Sequence, residues 1–249
     1  MWMGVLGVAC SAVPSASKEA TPTAGHVHWG YSGDVGPDHW DELSADFALC
    51  GNGQLQTPIN IVPTESKDLV NPLFHYQQGS VKVVNNGHTV QANADAGNTM
   101  SIDGVEYTLA QMHFHSPSEH TINGVPAAME LHFVHKAADG SLAVVGALVQ
   151  QGEANAAWDP YVTALQGLTA ESTTVTLDWP TLLPADVMTF RYIGSLTTPP
   201  CSEGVHWLVM QTPLTMSETQ IGAFTHFYTG NARPVQDPHN REVLVDTSK

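Results

Sequence analysis

The chain has 249 residues, with 24 acidic side chains against 8 basic ones and a formal net charge of −16. That length suits one large domain, and a field of that sign repels nucleic acid and anionic membranes. A hydrophobic content of 42% supplies a core and excludes a disordered chain, while 21 Gly and 16 Pro call for many turns.

Residues 1–25 are rich in Ala, Ser, Thr and Pro and read as a leader and linker, with the folded domain spanning 26–247. The apolar start lacks a basic n-region and is too short to cross a membrane. Leu6-Gly7-Val8-Ala9-Cys10 resembles a lipoprotein processing site, at which Cys10 would be acylated; a trimmed or mis-started terminus is the competing reading. Residues 28–40 alternate aromatics with Gly and Pro and predict an irregular, ring-packed segment. Runs of β type follow at 81–85, 89–92, 106–115, 128–135, 142–149, 173–177, 188–193 and 205–210. Asn85-Asn86-Gly87, Asp103-Gly104, Asn123-Gly124 and Asp139-Gly140 mark turns between them. Helical spacing covers 156–168, and Ser217-Glu218-Thr219-Gln220 opens 221–228 as a capping-box-like start. The expected fold is mostly β (α+β). It is a single domain around a large twisted, mainly antiparallel sheet with a few short peripheral helices.

Thirteen histidines direct attention to metal chemistry. In Gln111-Met112-His113-Phe114-His115, strand alternation puts Gln111, His113 and His115 on one face. Two solvent-facing or core histidines would have the same pattern. In Glu130-Leu131-His132-Phe133-Val134-His135, the residues Glu130, His132 and Val134 again share a face, and an antiparallel neighbour would bring His132 beside the first pair. Three imidazoles with an open fourth position describe a catalytic zinc site, whereas closed structural sites use four protein ligands. Gln111 and Glu130 stand two residues before candidate ligands, where acceptors for the second ring nitrogen are wanted. The cysteines are Cys10, Cys50 and Cys201. With Cys10 set aside, the remaining two either pair, which suits an oxidising compartment, or stay as buried thiols.

The dispersed motifs Trp29-Gly30-Tyr31, Gly36-Pro37-Asp38-His39-Trp40, Asn86-Gly87-His88, Gln111-x-His113-x-His115, Ser118-Glu119-His120, Glu130-x-His132, Gly194-Ser195-Leu196-Thr197-Thr198-Pro199-Pro200 and Asn231-Ala232-Arg233-Pro234-Val235-Gln236 occur in this order over 28–241. Together they resemble the alpha-class carbonic anhydrases, of the bacterial, exported type. The resemblance implies a conical cleft with Zn2+ on His113, His115 and His132. It implies reversible hydration of carbon dioxide to bicarbonate and a proton by zinc-bound hydroxide; the family is itself the standard illustration of zinc acidifying its bound water.

The same resemblance assigns roles. Gln111, Glu130 and the main-chain carbonyl of Asn231 would orient His113, His132 and His115. Thr197 would accept from the nucleophile while donating to Glu119, because a carboxylate only accepts. Val134, Val144, Leu196, Thr198, Val205 and Trp207 would form the substrate pocket. His88 would shuttle protons, with Tyr31, Asn86 and Gln91 organising water; Gln91 departs in size from several animal members. Cys50 and Cys201 would form a disulfide bracing the loop of Thr197.

The partners implied are carbon dioxide and bicarbonate, with no nucleic acid and no transmembrane segment, and a homodimer is compatible. The location implied is periplasmic or secreted, with a lipid anchor on Cys10 as a variant. The rival readings are a non-catalytic carbonic-anhydrase-like binding domain and a zinc esterase acting as a side activity.

Overall fold

The computed structural model describes residue 1 and residues 27–168 and 172–248. The rest of the expected leader, Cys10 included, lies outside the described residues. In chain order the strands are β1 (Asn60–Ile61), β2 (Glu65–Lys67), β3 (Leu73–His75), β4 (Gln78–Asn85), β5 (Val90–Asn93), β6 (Thr99–Ile102), β7 (Val105–His115) and β8 (Thr121–Ile122). They continue as β9 (Val125–Pro126), β10 (Met129–Ala137), β11 (Leu142–Gln151), β12 (Ser172–Asp178), β13 (Thr189–Ser195), β14 (Glu203–Met210), β15 (Leu214–Met216) and β16 (Leu244–Asp246). The α-helices are short: α1 (Trp40–Leu43), α2 (Leu49–Asn52), α3 (Asp159–Gln166) and α4 (Glu218–Thr225).

One large sheet dominates, in the order β12-β4-β5-β7-β10-β11-β14-β13-β16-β2, with β3, β6 and β15 attached to it. Most of its pairings are antiparallel; β11 with β14 and with β15, and β16 with β2, are parallel. The chain is therefore a mixed α+β domain with peripheral helices. All eight expected β runs form strands, within a few residues at their ends. The expected helix at 156–168 is shorter than its apolar spacing suggested: a 3₁₀ turn at Ala156–Trp158 runs into α3. Pro160 sits in the first turn of α3, where its missing N–H is no loss. Ser217 and Gln220 close the capping box of α4 in both directions.

The turn chemistry does what the sequence required of it. Asp103 and Gly104 take φ of 51° and 81°, the left-handed pair that joins β6 tightly to β7. Side chains on the far side of the central strands make the main core. Met112, Phe114, Leu131 and Phe133 are buried there with Trp158 and Tyr161 and with Phe224 of α4. Phe114 and Phe224 meet tilted by 37°, with centroids 4.0 Å apart. The near face carries polar residues in register. His113 lies opposite His132, which lies opposite Gly146. One step along, Gln111, Val134, Val144, Trp207 and Tyr192 form a row across five strands. The sheet is thus hydrophobic on one side and chemically equipped on the other.

Candidate metal centre

The β7–β10 register makes the site. Because His132 pairs with His113, and Glu130 with His115, three imidazoles meet on the near face of two adjacent strands. The ring centroids of His132 lie 5.2 Å from His113 and 4.7 Å from His115. One nitrogen from each of the three falls within 4.8 Å of the others. His115 and His132 are buried, while His113 keeps some contact with solvent.

Each ring has its second nitrogen occupied. His113 Nδ1 is 2.8 Å from Gln111 Oε1, and His115 Nδ1 is 2.7 Å from the carbonyl oxygen of Asn231. His132 Nε2 is 3.0 Å from Glu130 Oε1. These acceptors fix which nitrogen carries the proton and leave Nε2 of His113, Nε2 of His115 and Nδ1 of His132 free. His115 Nε2 is buried with no hydrogen-bond partner. An orphaned buried acceptor among two other unpaired acceptors is the arrangement a soft cation would satisfy, so the residues fit zinc.

Electrostatics agree. Burial, then the like neighbours His115 and His132, holds His113 well below the usual imidazole range. Burial brings His115 down to about 4 against the opposing pull of the Asn231 carbonyl. Burial also lowers His132. All three are therefore neutral near pH 7, the form that binds metal. Glu130 shows the opposite balance: burial opposes its charge, but His120 and His132 outweigh that and hold it well below the carboxylate range.

A second group, His120 with Glu130 and His132, also lies within ligating distance. Its His120 is already spent. Nδ1 is 2.7 Å from Glu130 Oε1, and Nε2 is 2.5 Å from the Tyr192 hydroxyl. Glu130 Oε2 accepts the backbone N–H groups of Glu119 and His120, at 3.0 and 2.8 Å. This cluster is a scaffold for His132 rather than a separate site.

Glu119 is buried beside the histidines and accepts the Arg233 backbone N–H at 2.8 Å on Oε1. Burial raises its pKa to about 7, against the lowering influence of His132, Arg233 and Thr197. Its Oε2 has no partner, so the expected hydrogen bond from Thr197 is not closed, although Thr197 is buried and near enough to act on Glu119. Thr197 follows β13, and Thr198 accepts the Cys201 N–H at 2.9 Å in the same turn. Cys201 is bonded to Cys50 across 151 residues of sequence, with Cα atoms 5.1 Å apart.

The expected apolar residues come together. Val144, Val205 and Trp207 are buried in one cluster against which Val134 and Leu196 pack. The Trp207 ring stands 4.9 Å from His132, and its Nε1 donates to the Ser195 carbonyl. At the other end of the near face, His88 lies in the turn after β4, held by its N–H to Asn86 Oδ1 at 2.9 Å. Its ring stacks on Trp29 at 3.6 Å and 3°. Burial and then His28 lower its pKa. Asn86 donates to Gln91 at 3.4 Å, and Gln91 donates to Asn93 at 2.6 Å, while Tyr31 packs edge-on against Trp29 and Trp40.

Three contributors had no role assigned from the sequence. His120 and Arg233 stood inside quoted motifs, which was the available signal. Tyr192 had none beyond its alternation with Arg191 and Ile193. Arg233 is buried and donates to Gln56 Oε1, the Thr57 carbonyl and the Cys50 carbonyl, tying the disulfide region to the residue whose backbone N–H serves Glu119. Gly146, opposite His132, gives Glu130 room: a Cβ there would stand 3.0 Å from Glu130 Oε1, and the carboxylate would have to shift.

Comparison with known proteins places this arrangement among relatives. The profile of a family described as eukaryotic-type carbonic anhydrase matches residues 35–247. A carbonic anhydrase of Pectobacterium carotovorum is 40% identical over 247 residues, covering 97% of this chain and 99% of the relative. The solved Photobacterium profundum alpha-carbonic anhydrase superposes with a TM-score of 0.79 at 40% identity, over 87% of this chain and all of that one. The alpha-carbonic anhydrase of Thermovibrio ammonificans, solved with the inhibitor sulfanilamide, gives 0.80 at 37% identity over 88% of this chain and 100% of that chain.

Proposed function

The chain belongs to the alpha-class carbonic anhydrases, and on that premise we propose that His113, His115 and His132 hold the catalytic zinc at the base of a conical cleft, with Glu119, Thr197 and His88 as its working residues. The reaction is the reversible hydration of carbon dioxide to bicarbonate and a proton. The observation that carries the site assignment is the set of three free imidazole nitrogens within 4.8 Å, each on a ring whose other nitrogen is already paired.

When bound, zinc supplies a Lewis acid that makes a nucleophile of water near neutral pH, an effect for which carbonic anhydrase is itself the standard illustration. The rest is the chain's own work. Gln111, Glu130 and the Asn231 carbonyl aim the three rings and keep their ligating nitrogens unprotonated. Glu119 Oε2, buried and free, would accept from the Thr197 hydroxyl once that bond closes, which would leave the Thr197 oxygen as acceptor for the hydrogen of the attacking oxygen. That fixes the direction of the attacking lone pair. Val134, Val144, Leu196, Val205 and Trp207 offer carbon dioxide an apolar wall, and Thr198 borders it; a linear, weakly hydrated molecule needs little else. His88 carries the product proton outward through water held by Tyr31, Asn86 and Gln91, and the lowering of its pKa by burial favours handing that proton on to solvent.

The non-catalytic binding domain has little to recommend it, because the zinc ligands stand together with both Glu119 and Thr197. An exported protein is part of the same proposal: a bonded Cys50–Cys201 pair suits an oxidising periplasmic or extracellular compartment. So is the division into a leader at 1–25 and a catalytic domain at 26–247. The direct test is carbon dioxide hydration before and after removal of metal by a chelator, with zinc then restored. Activity should vanish and return; activity that survives complete removal of zinc would overturn the reading.

A further inference from the structure

A cavity of about 350 Å3 opens on the sheet face opposite the histidines. The register shows which face this is. Tyr192 and Trp207 pair and look toward His132, so Arg191, Ile193, His206 and Leu208, one step along β13 and β14, point away. Leu244 of β16 pairs with Arg191 and joins them. The β6–β7 hairpin reaches the same face because of a bulge. Val134 pairs with Gln111 but His135 pairs with Leu109, so Ala110 is the extra residue and the outer half of β7 is turned over. Tyr107 and Val105 thereby face the side of Met112 and Phe114, away from the histidines.

The volume falls at the lower end of small-molecule pockets, and the walls are chiefly apolar: Leu55, Leu69, Ile102, Val105, Leu208 and Leu244. Two of the chain's three arginines, Arg191 and Arg241, also line it. Arg241 spends all its nitrogens on the carbonyls of Gln56, Ile193, Asp237 and Pro238, and the carboxylates that act on it, Glu203 and Asp237, make no ion pair with it among the described residues. Arg191 donates from Nε to Thr189 and from Nη2 to the Val70 carbonyl, with Asp246 at 3.4 Å. Its Nη1 has no hydrogen-bond partner among the described residues. That side chain is only 12% exposed. Tyr107 is 3% exposed, and its hydroxyl likewise has no partner among the described residues. The acidic residues Asp103 and Glu242 stand at the exposed rim, and neither lies within 4.0 Å of a guanidinium. Neither atom is sealed from solvent, so an apolar chamber in which a guanidinium nitrogen and a phenol are both open to a ligand suits an acceptor with a greasy body.

We propose that this cavity binds a small organic monocarboxylate, its carboxylate taken by Arg191 Nη1 and the Tyr107 hydroxyl and its hydrocarbon part by Leu69, Ile102, Leu208 and Leu244. The site is separate from the zinc centre and lies across the β13–β14 pair from it.

The probe is benzoate, titrated calorimetrically into the zinc-loaded full chain, with benzyl alcohol as the uncharged analogue of like shape. Benzoate should bind with Kd near or below about 1 mM, and benzyl alcohol at least tenfold more weakly. Tyr107→Phe should weaken benzoate several-fold, and Arg191→Met tenfold or more, with carbon dioxide hydration unchanged in Tyr107→Phe. Ile193→Trp, made at an exposed position beside the mouth, should block binding and decides the matter if Arg191→Met does not fold. Equal binding of the alcohol, or benzoate binding that survives Ile193→Trp and Tyr107→Phe, would overturn the proposal and put benzoate at the metal. Absence of binding, with Ile193→Trp instead shifting a monomer–dimer equilibrium in sedimentation, would overturn it by assigning the face to a second copy.

Discussion

Glu130 Oε1 lies 3.0 Å from Nε2 of His132, so the one imidazole contributed by β10 is turned with Nδ1 toward the two contributed by β7. The same oxygen is 2.7 Å from His120 Nδ1, and the other carboxylate oxygen accepts two backbone N–H groups. A carboxylate held by four donors cannot swing, and neither can the ring it aims.

Glu130→Gln should therefore loosen zinc without removing a ligand. A carboxamide must present its NH2 group to part of a surround that only donates, and partners of this kind are worth about 10–100-fold in metal affinity or activity. Competition with a chromogenic chelator measures it. Unchanged zinc affinity in a folded Glu130→Gln protein would show that His132 is oriented by something else.

His88→Ala should separate proton release from chemistry. Maximal turnover should fall, by up to the roughly 10²–10⁴-fold that a positioned proton-transfer group contributes, while the exchange of isotope between carbon dioxide and bicarbonate stays near that of the parent. Added imidazole buffer should restore part of the loss. Equal loss of exchange and turnover, with no rescue, would move His88 out of the shuttle role.

The strand pattern of the site was legible from alternation alone. Gln111, His113 and His115, then Glu130, His132 and Val134, sit on the near face as their spacing required. Less was legible where an element is too short to carry a period: β2, β3 and β16 have three residues each, and they are strands only because neighbours pair with them. The bulge at Ala110 was hidden for a different reason. It depends on a mismatch between two strands, which neither run contains by itself. The work of Tyr192 on His120 joins residues 72 apart, and no local pattern announces it. The roles of His88, Thr197 and the apolar wall came from family resemblance and not from periodicity.

Removing the cross-link should be felt chiefly in stability. Cys50→Ser with Cys201→Ser frees a loop of 151 residues, for which chain entropy gives on the order of 4–5 kcal/mol, an upper figure where the unfolded chain keeps structure. Urea unfolding of the two proteins reads the difference. Identical midpoints would show that the bridge contributes nothing to the fold.

The pH dependence of stability should carry the mark of His135. This ring is buried, its Nε2 is 2.6 Å from the Tyr76 hydroxyl, and burial pushes its pKa down to about 4 from the usual 6.5. The unfolded chain then binds a proton that the folded chain refuses between those values. Stability is fully present above pH 6.5 and is lost as pH falls toward 4, by on the order of 3 kcal/mol from this group. His135→Gln should flatten that part of the profile relative to the parent in the same metal state. Parallel profiles from pH 6.5 to 4 would contradict it.

In the site we propose, His132, with His113 and His115, would hold one zinc ion. Zinc per chain in the purified parent and in His132→Ala, read by mass spectrometry of the metal after exhaustive dialysis, decides it. The parent should carry one zinc, and His132→Ala should lose most of it. Full zinc occupancy in a folded His132→Ala protein would contradict the assignment.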